Sequence, residues 1–480
     1  MRRSSVVIVG GGISALSAAW ELTGGPTGPS KHTPRVEVIE SSERFGGALK
    51  TAFFAGRTVD LGADGFLARR PEVVTLVTEL GLADQLEAIN ASGASLWLRG
   101  ELNSLPTGLA LGVPTSYAQV KNMKGLSARA KFQCWRDEHF PRSLNVGEDA
   151  TIGEIVRTKL GSEMSYQFVE PMIGGIQAGR IDELSAKSVF PALLDAAKKR
   201  GSLMKALRPT GTAVPGPRAT VSADGPAFYS LLQGVGSLPD ALVATLATRG
   251  VVFRSSTPVT ALRRTPVSEY QWEVDTAHTT TPADYVILAT SASAAAKLVG
   301  SHASELQALD TITTAGAAMV SFHFKEEDIQ LTDSGTGVLV PLNTPWTGSD
   351  SLLVTALTFL DRKWPHLKMP GSTVLRAHVG RSDDTRWSEL DDDALSRRVL
   401  EELQFLLPRC ETPLETIVQR WPSGLPQYRL GHEELVNNAR RAASDLSLAL
   451  CGNAYDGVGI PASVGSGRRA ARDVLSSLGK

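Results

Sequence analysis

Near the start of the chain, Gly10-Gly11-Gly12-Ile13-Ser14-Ala15 carries the spacing G-x-G-x-x-A, which suits a backbone that must wrap around a diphosphate. Gly10 allows a tight turn, Gly12 lets backbone and phosphate approach, and Ala15 is small enough for close helix–strand packing. A diphosphate there would meet the free N–H groups and positive end of a helix, a dipole contribution of roughly 0.3–1 kcal/mol. Further along, Glu40 can accept both hydroxyls of an adenosine ribose, which favours an unphosphorylated dinucleotide, FAD or NAD, over NADP. The glycine-, proline- and serine-rich stretch 24–34 reads as a surface loop and accounts for the long spacing to that acid.

These residues work only if regular elements hold them. Ser5–Val9 reads as a buried strand, Ile13–Leu22 as a helix with small residues on one face, and Val36–Glu40 as a second strand. Directly after them, Ser41, Arg44, Gly46, Gly47 and Ala48 offer a guanidinium fork for phosphate and two glycines for close chain passage. Gly62-Ala63-Asp64-Gly65 forms another small-residue loop. At the far end a strand at Leu446–Cys451 feeds a helix at Ala462–Leu475. The intervening Gly457-Val458-Gly459-Ile460 presents a second helix N-terminus, able to support a developing anion. Between these ends, the pattern predicts a helix over Pro71–Leu80, mostly helix over 105–209, and a loose loop at Gly211–Pro226. It then predicts strands at Val251–Arg254, Val259–Arg263, Tyr270–Asp275, Tyr285–Thr290, Ala317–Phe324, Leu352–Phe359 and Val374–Val379, and a helix over Leu390–Leu407.

Bulk composition excludes several classes. In 480 residues, 42% apolar and 21% charged content is that of a globular chain, and a net charge of -1 gives no general attraction for nucleic acid or anionic membranes. Cys134, Cys410 and Cys451 are too few and too scattered for a disulfide framework or a zinc site, which suits a reducing cytoplasm. The eight histidines show no metal-ligand spacing, and no metal is expected. Met1-Arg2-Arg3 ahead of an apolar run resembles a secretory signal, but three glycines and Glu21 fit strand–turn–helix better. No stretch of about 20 apolar residues predicts a transmembrane helix.

The run Glu40-Ser41-Ser42-Glu43-Arg44-Phe45-Gly46-Gly47 and the C-terminal Gly452–Pro461 segment resemble flavoproteins of the amine oxidase and phytoene desaturase superfamily. Within it, four blocks resemble protoporphyrinogen and coproporphyrinogen oxidases, especially the Gram-positive coproporphyrinogen branch. They are Leu105–Pro114, Gly174–Ser185, Lys363–His366 with Leu375–Gly380, and Arg420–His432. The resemblance spans about residues 5–475 and departs at Gln177 and Arg180, where relatives carry an aromatic and an acid.

What the resemblance implies is an α/β fold with a discontinuous Rossmann-like FAD domain (1–80, 226–300 and 431–480), a mostly helical insertion (81–225) and an α+β substrate region (301–430). It places Val259 against adenine and Trp421 near the isoalloxazine. It makes Gly175, Ile176, Ala178 and Gly179 line the substrate site with backbone carbonyls facing pyrrole N–H groups, and Arg70 pair with a propionate. The implied reaction is FAD-dependent, oxygen-consuming six-electron oxidation of coproporphyrinogen III to coproporphyrin III in haem synthesis, with flavin N5 taking hydride and no obligatory side-chain base. Alternatives are protoporphyrinogen IX as substrate, or a flavin amine oxidase or carotenoid desaturase, for which Lys325 and Tyr455 would have to serve. Expected partners are the porphyrinogen, dioxygen and downstream haem-pathway enzymes, with no nucleic acid and at most peripheral membrane contact; the expected location is cytoplasmic.

Overall fold

A computed structural model describes residues 2–90, 93–208, 225–265, 269–330 and 335–479. All but the last two residues of the expected Gly211–Pro226 loop lie outside the described residues. The organising element is a five-stranded, all-parallel sheet of β1 (Ser5–Val9), β2 (Arg35–Ile39), β3 (Val252–Arg254), β4 (Tyr285–Leu288) and β5 (Leu448–Leu450), in the spatial order β3-β2-β1-β4-β5. Val6, Val7 and Ile8 are fully buried because helices cover both faces, which is why β1 reads as a continuous apolar run rather than an alternation. Segments 1–80, 226–300 and 431–480 each send strands into this one sheet.

Helix α1 (Ile13–Leu22) follows β1, and the C-terminal helix, Ile460–Ser477, lies against it. Their contact uses the small-residue face: a Cβ on Gly467 would collide with the Ser14 carbonyl oxygen, and Ala15, Ala18 and Ala470 are fully buried beside it. Close backbone approach of two helices requires such residues.

A mixed seven-stranded sheet forms the second layer. Its spatial order is Glu415–Pro426, Thr314–Lys325, Ser372–Val379, Val354–Phe359, Gly337–Leu339, Ser95–Leu98 and Glu101–Ser104. Regions 81–225 and 301–430 therefore share a sheet, joined by the parallel pairing of Leu339 with Leu96. The twelve-residue strand Glu415–Pro426 went unread in the sequence because Pro422, Gly424 and Pro426 punctuate it. It survives at the sheet edge, where a proline leaves no ladder donor missing on the open side. The expected mostly helical stretch is helical only from Ala128 to Ala206; residues 105–127 are turns with one short helical turn at Tyr117–Gln119. That helical body closes over its own core of Ile152, Ile155, Val156, Leu160, Phe168 and Leu193.

Candidate cofactor and substrate site

The glycine turn sits where β1 ends. Gly10 has φ +106, and a Cβ there would lie 2.6 Å from the Ala289 carbonyl oxygen, so only glycine fits. Gly11 is hemmed in by Phe45 and Glu40, and its N–H donates to the Glu40 carboxylate at 2.6 Å. Gly12 differs: its backbone is ordinary (φ -71, ψ 176), and a Cβ would meet nothing nearer than the Gly47 Cα at 4.0 Å. Gly12 thus removes a side chain from open space in front of α1, whose first turn has no side-chain cap. This is a cradle a Cβ would fill, at unpaired N–H groups, and it fits a diphosphate. Ile13, Ser14 and Ala15 are buried behind it.

Against this turn packs the 45–49 loop. Gly47 and Ala48 are exposed in it. Glu40 accepts from the Ser42 N–H and hydroxyl, both at 2.7 Å, and from the Ser41 hydroxyl at 3.2 Å. Thr257 N–H donates to the Glu40 carbonyl at 2.8 Å, bringing Val259, at the start of its strand, next to the acid. Arg44, expected to meet phosphate, has its guanidinium among neighbouring carbonyls in this structure. Its guanidinium donates to the carbonyls of Phe45, Leu49 and Gly47, so the fork ties the 45–49 loop together and burial lowers its pKa. Gly46 N–H donates to the Gly11 carbonyl, holding that loop on the turn.

At the other end, Gly62 packs against Ala48, whose carbonyl oxygen would lie 2.5 Å from an added Cβ, and against the Trp421 ring. The Trp421 indole N–H donates to the Leu61 carbonyl at 3.3 Å. Ala63 is exposed between them, and Gly65 lies on the Trp364 ring. The second helix N-terminus, at Ile460 behind Gly459 (φ +116), also lacks a side-chain cap. Tyr428, unremarked as a site residue in the sequence, holds this segment: its hydroxyl accepts from Gly457 N–H at 3.0 Å and donates to the Asn453 carbonyl. Val458 sits between the two glycines, partly exposed.

His432 stacks on Tyr428, ring centroids 4.0 Å apart, and burial pulls its pKa down to about 4. In the native state it is neutral, whereas in the unfolded chain it protonates near the ordinary value of about 6.5. The unfolded state therefore binds more protons between those values, and stability must fall as pH drops from about 6.5 to about 4, by roughly 1.4 kcal/mol per unit from this group. His432→Phe keeps the stack and should flatten that limb; thermal unfolding measured across the window checks it.

The substrate-side block begins not as a loop but as the last turn of helix α2 (Glu170–Gln177), which ends at Ala178 in the left-handed region (φ 48). Gly175 is exposed and Ile176 partly so; Ala178 and Gly179 are buried. The carbonyls do not all face a ligand as expected. Gly174 O accepts from Ala178 N–H, Ala178 O accepts from Ser382 N–H at 2.7 Å, and Gln177 O accepts from the Gln427 amide at 2.8 Å. A helix terminus must satisfy its own orphan groups first. Gln427 also lies so close to Gly179 that a Cβ there would clash. Arg180 bonds the fully buried Glu170 at 2.7 Å and reaches Asp383 as well. Ile181 N–H donates to Glu170 at 3.0 Å, and Arg381 stands 3.8 Å away. The positive charge of Arg180 is thus met by the carboxylates of Glu170 and Asp383.

Arg70 immediately precedes the helix Pro71–Glu79 and is exposed, its guanidinium bonded to Glu72 at 2.6 Å. Residues 421–428 link all three parts, touching Gly62 through Trp421, Gly457 through Tyr428 and α2 through Gln427. Tyr455 is buried and Lys325 lies at the exposed end of its strand, so the structure does not bring those two together. The three cysteine thiols are buried and pushed up to about 12 by desolvation. Among the described residues no group of His, Cys, Asp and Glu is placed to hold a metal, and no helix is long and apolar enough to cross a membrane.

Comparison with known proteins agrees with this arrangement. Residues 13–475 match the family described as flavin containing amine oxidoreductase. The chain is 32% identical to the coproporphyrinogen III oxidase of Bacillus subtilis (strain 168), covering 99% of each chain. It is 31% identical to that of Propionibacterium freudenreichii subsp. freudenreichii, over 98% of this chain and 91% of the relative. A solved structure from Exiguobacterium sp. 255-15, provisionally described as a protoporphyrinogen oxidase, superposes with a TM-score of 0.84 at 30% identity, covering 99% of this chain and 100% of that one. The cofactor is FAD, and the chain belongs to the flavin containing amine oxidoreductase family.

Proposed function

We propose that this chain oxidises coproporphyrinogen III to coproporphyrin III, using dioxygen as the terminal acceptor and releasing hydrogen peroxide. The observation that carries the reading is end-to-end similarity to curated bacterial coproporphyrinogen III oxidases, with 99% of the chain aligned to the Bacillus subtilis enzyme. The fold subsequently supports it by bringing the Gly62 and Gly457 loops and α2 to one segment, residues 421–428. When bound, FAD supplies the hydride acceptor at N5 and the means of passing electrons to oxygen. The protein's part is placement. Gly12 and the uncapped start of α1 would receive the diphosphate, Glu40 the ribose, and Gly457–Ile460 the pyrimidine edge of the ring. Gly175, exposed, and Ile176, partly exposed, would meet the macrocycle, while Ala178 and Gly179 hold the turn in place. Pyrrole N–H protons can leave to water, so no side chain is assigned as a base.

Arg70 is the proposed propionate anchor, and it must share or leave its Glu72 partner to act as one. An exposed pair of this kind is worth only about 0–1 kcal/mol, so a carboxylate ligand can compete for the guanidinium. Arg70→Ala should raise KM for the porphyrinogen several-fold with FAD content and kcat unchanged. Steady-state kinetics with identical constants would remove Arg70 from the site.

The decisive test is anaerobic mixing of the purified flavoprotein with coproporphyrinogen III. Flavin absorbance should bleach, and porphyrin fluorescence should accumulate once air is admitted. Flavin that stays oxidised, in protein that still binds FAD, would overturn the assignment. A second reading, protoporphyrinogen IX as preferred substrate, has support from 29% identity to the Bos taurus protoporphyrinogen oxidase over 98% of both chains. A kcat/KM higher for protoporphyrinogen IX would favour it. The proposed location is the cytoplasm. At the periphery, Phe132 and Phe140 are exposed around Trp135, with Arg129, Lys131, Arg136 and Arg142 nearby in sequence, a composition that supports shallow contact with an anionic bilayer.

A further inference from the structure

The two faces of the seven-stranded sheet are covered differently. Ala318, Val320, Leu357 and Ala377 point to one face and are almost fully buried beneath the helix Asp392–Leu406. Their neighbours alternate to the other face, where the register sets Leu339, Ala356, His378, Met319 and Gln419 side by side in one row across the strands. Both ends of the row are covered. α2 packs on the strands of Leu339 and Ala356, and a Cβ on Gly175 would lie 3.6 Å from the Leu339 side chain. At the far end Lys50 Nζ bonds the Gln419 amide oxygen at 2.8 Å, and Trp421 lies against Gly62. His378 and Met319, in the middle of the row, stay partly exposed although they sit on inner strands.

An inward face left open between the α2 turn and the loops at Lys50 and Gly62 is room for a ligand. From Leu339 to Gln419 the row crosses the strand spacing four times, roughly 20 Å, which suffices for a macrocycle lying flat. Its middle is apolar but for one ring. His378 Nε2 meets the Thr358 hydroxyl at 3.2 Å, and among the described residues no other hydrogen bond reaches the imidazole. An imidazole is already mostly neutral at pH 7. Desolvation, with Arg376 two residues back on the same face, keeps this one so and lowers its pKa to about 3. Arg376 itself is engaged elsewhere: it donates to the Gly62 carbonyl at 3.2 Å and stands 3.9 Å from Asp64, which Lys363 bonds at 2.7 Å. In the tautomer that donates from Nε2 to Thr358, Nδ1 is an acceptor flanked in the row by Ala356 and Met319.

We propose that this row is the floor on which the porphyrinogen lies, and that His378 Nδ1 accepts a hydrogen bond from one of its pyrrole N–H groups. The core of a porphyrinogen offers N–H donors and no acceptor, so the protein group that meets it must accept. The carbonyls of Gly174, Gln177 and Ala178 are bonded within the protein, which leaves that role open on the α2 side. A single acceptor on an otherwise apolar floor fixes the rotation of the macrocycle, as polar groups do in apolar pockets. The inference rests on the proposed substrate and adds the side chain that orients it.

The test is anaerobic titration calorimetry of the FAD-loaded enzyme with coproporphyrinogen III, the flavin held reduced so that no turnover occurs. His378→Leu should weaken binding about tenfold, the loss of one buried hydrogen bond, with flavin content unchanged. His378→Asn carries an amide oxygen near the position of Nδ1 and should bind within about threefold of the wild type. A packing role would leave the two variants equally weak, since asparagine fills the space no better than leucine. Equal affinities in the two variants, or wild-type affinity in His378→Leu, overturn the proposal. Failure of the wild-type protein to bind porphyrinogen sinks this inference together with the substrate assignment. Binding to the reduced enzyme without oxidation by the oxidised one ends the assigned reaction alone, and the ranking of the two variants still decides the role of His378.

Discussion

A Gly12→Val variant is expected to fold normally and to purify without colour, with FAD occupancy below about a tenth of the wild-type protein's. Valine can adopt φ -71, ψ 176 without strain, and its Cβ meets only the Gly47 Cα, 4.0 Å off, so neither backbone nor Cβ disturbs the apoprotein. What the side chain takes is the space before the open N–H groups of α1, where backbone and diphosphate must approach. Gly10→Ala makes the instructive contrast two residues away. At φ +106, with its Cβ 2.6 Å from the Ala289 carbonyl, it should destabilise the folded protein itself by about 2–4 kcal/mol, with or without cofactor. Flavin absorbance per mole of protein, alongside denaturant unfolding of the apo forms, separates the two. A yellow Gly12→Val protein would mean the diphosphate lies elsewhere.

Glu170→Ala should produce the second large effect, confined to the substrate side. The carboxylate is completely buried, bonded to Arg180 and to Ile181 N–H, with Arg381 3.8 Å away and itself buried. Removing it strands the buried guanidinium of Arg381, and breaking such a pair from one side typically costs about 3–5 kcal/mol. Amide hydrogen exchange over residues 170–185 should accelerate correspondingly, while the strands of the parallel sheet keep their protection and FAD stays bound. Uniform loss of protection across both sheets would show that Glu170 supports the whole fold rather than the α2 turn.

Much of the cofactor half was legible because its signals are local. β1, the glycine turn, α1 and the following strand all lie within the first 40 residues, and the expected bounds of β1 and α1 agree with those observed. The small residues on one face of α1 were visible in the sequence, but that Gly467 of the last helix packs against them was not. Other features were hidden in plain view. Tyr428, Lys363 and Arg376 all fall inside blocks that resembled relatives, yet nothing in their spacing told what they touch. The strand Glu415–Pro426 was masked by its own prolines, which an edge position tolerates.

Arg44 and the α2 turn show which partners local chemistry does not reveal. A guanidinium after a glycine turn looks like a phosphate ligand, but three nearby carbonyls claim it first. A glycine-rich stretch looks like a loop with free carbonyls, but it ends a helix, and Gln427 and Ser382 from distant segments pair two of its last carbonyls. By itself the sequence determined that a dinucleotide-binding strand–turn–helix opens the chain, because that unit depends on contacts between near neighbours and on backbone freedom at fixed positions. Only the tertiary structure decided how residues more than 300 positions apart, such as Asp64 with Arg376 and Leu61 with Trp421, come into contact, since those pairings arise where the 61–65 loop packs on strands of the seven-stranded sheet and leave no periodic trace in the chain.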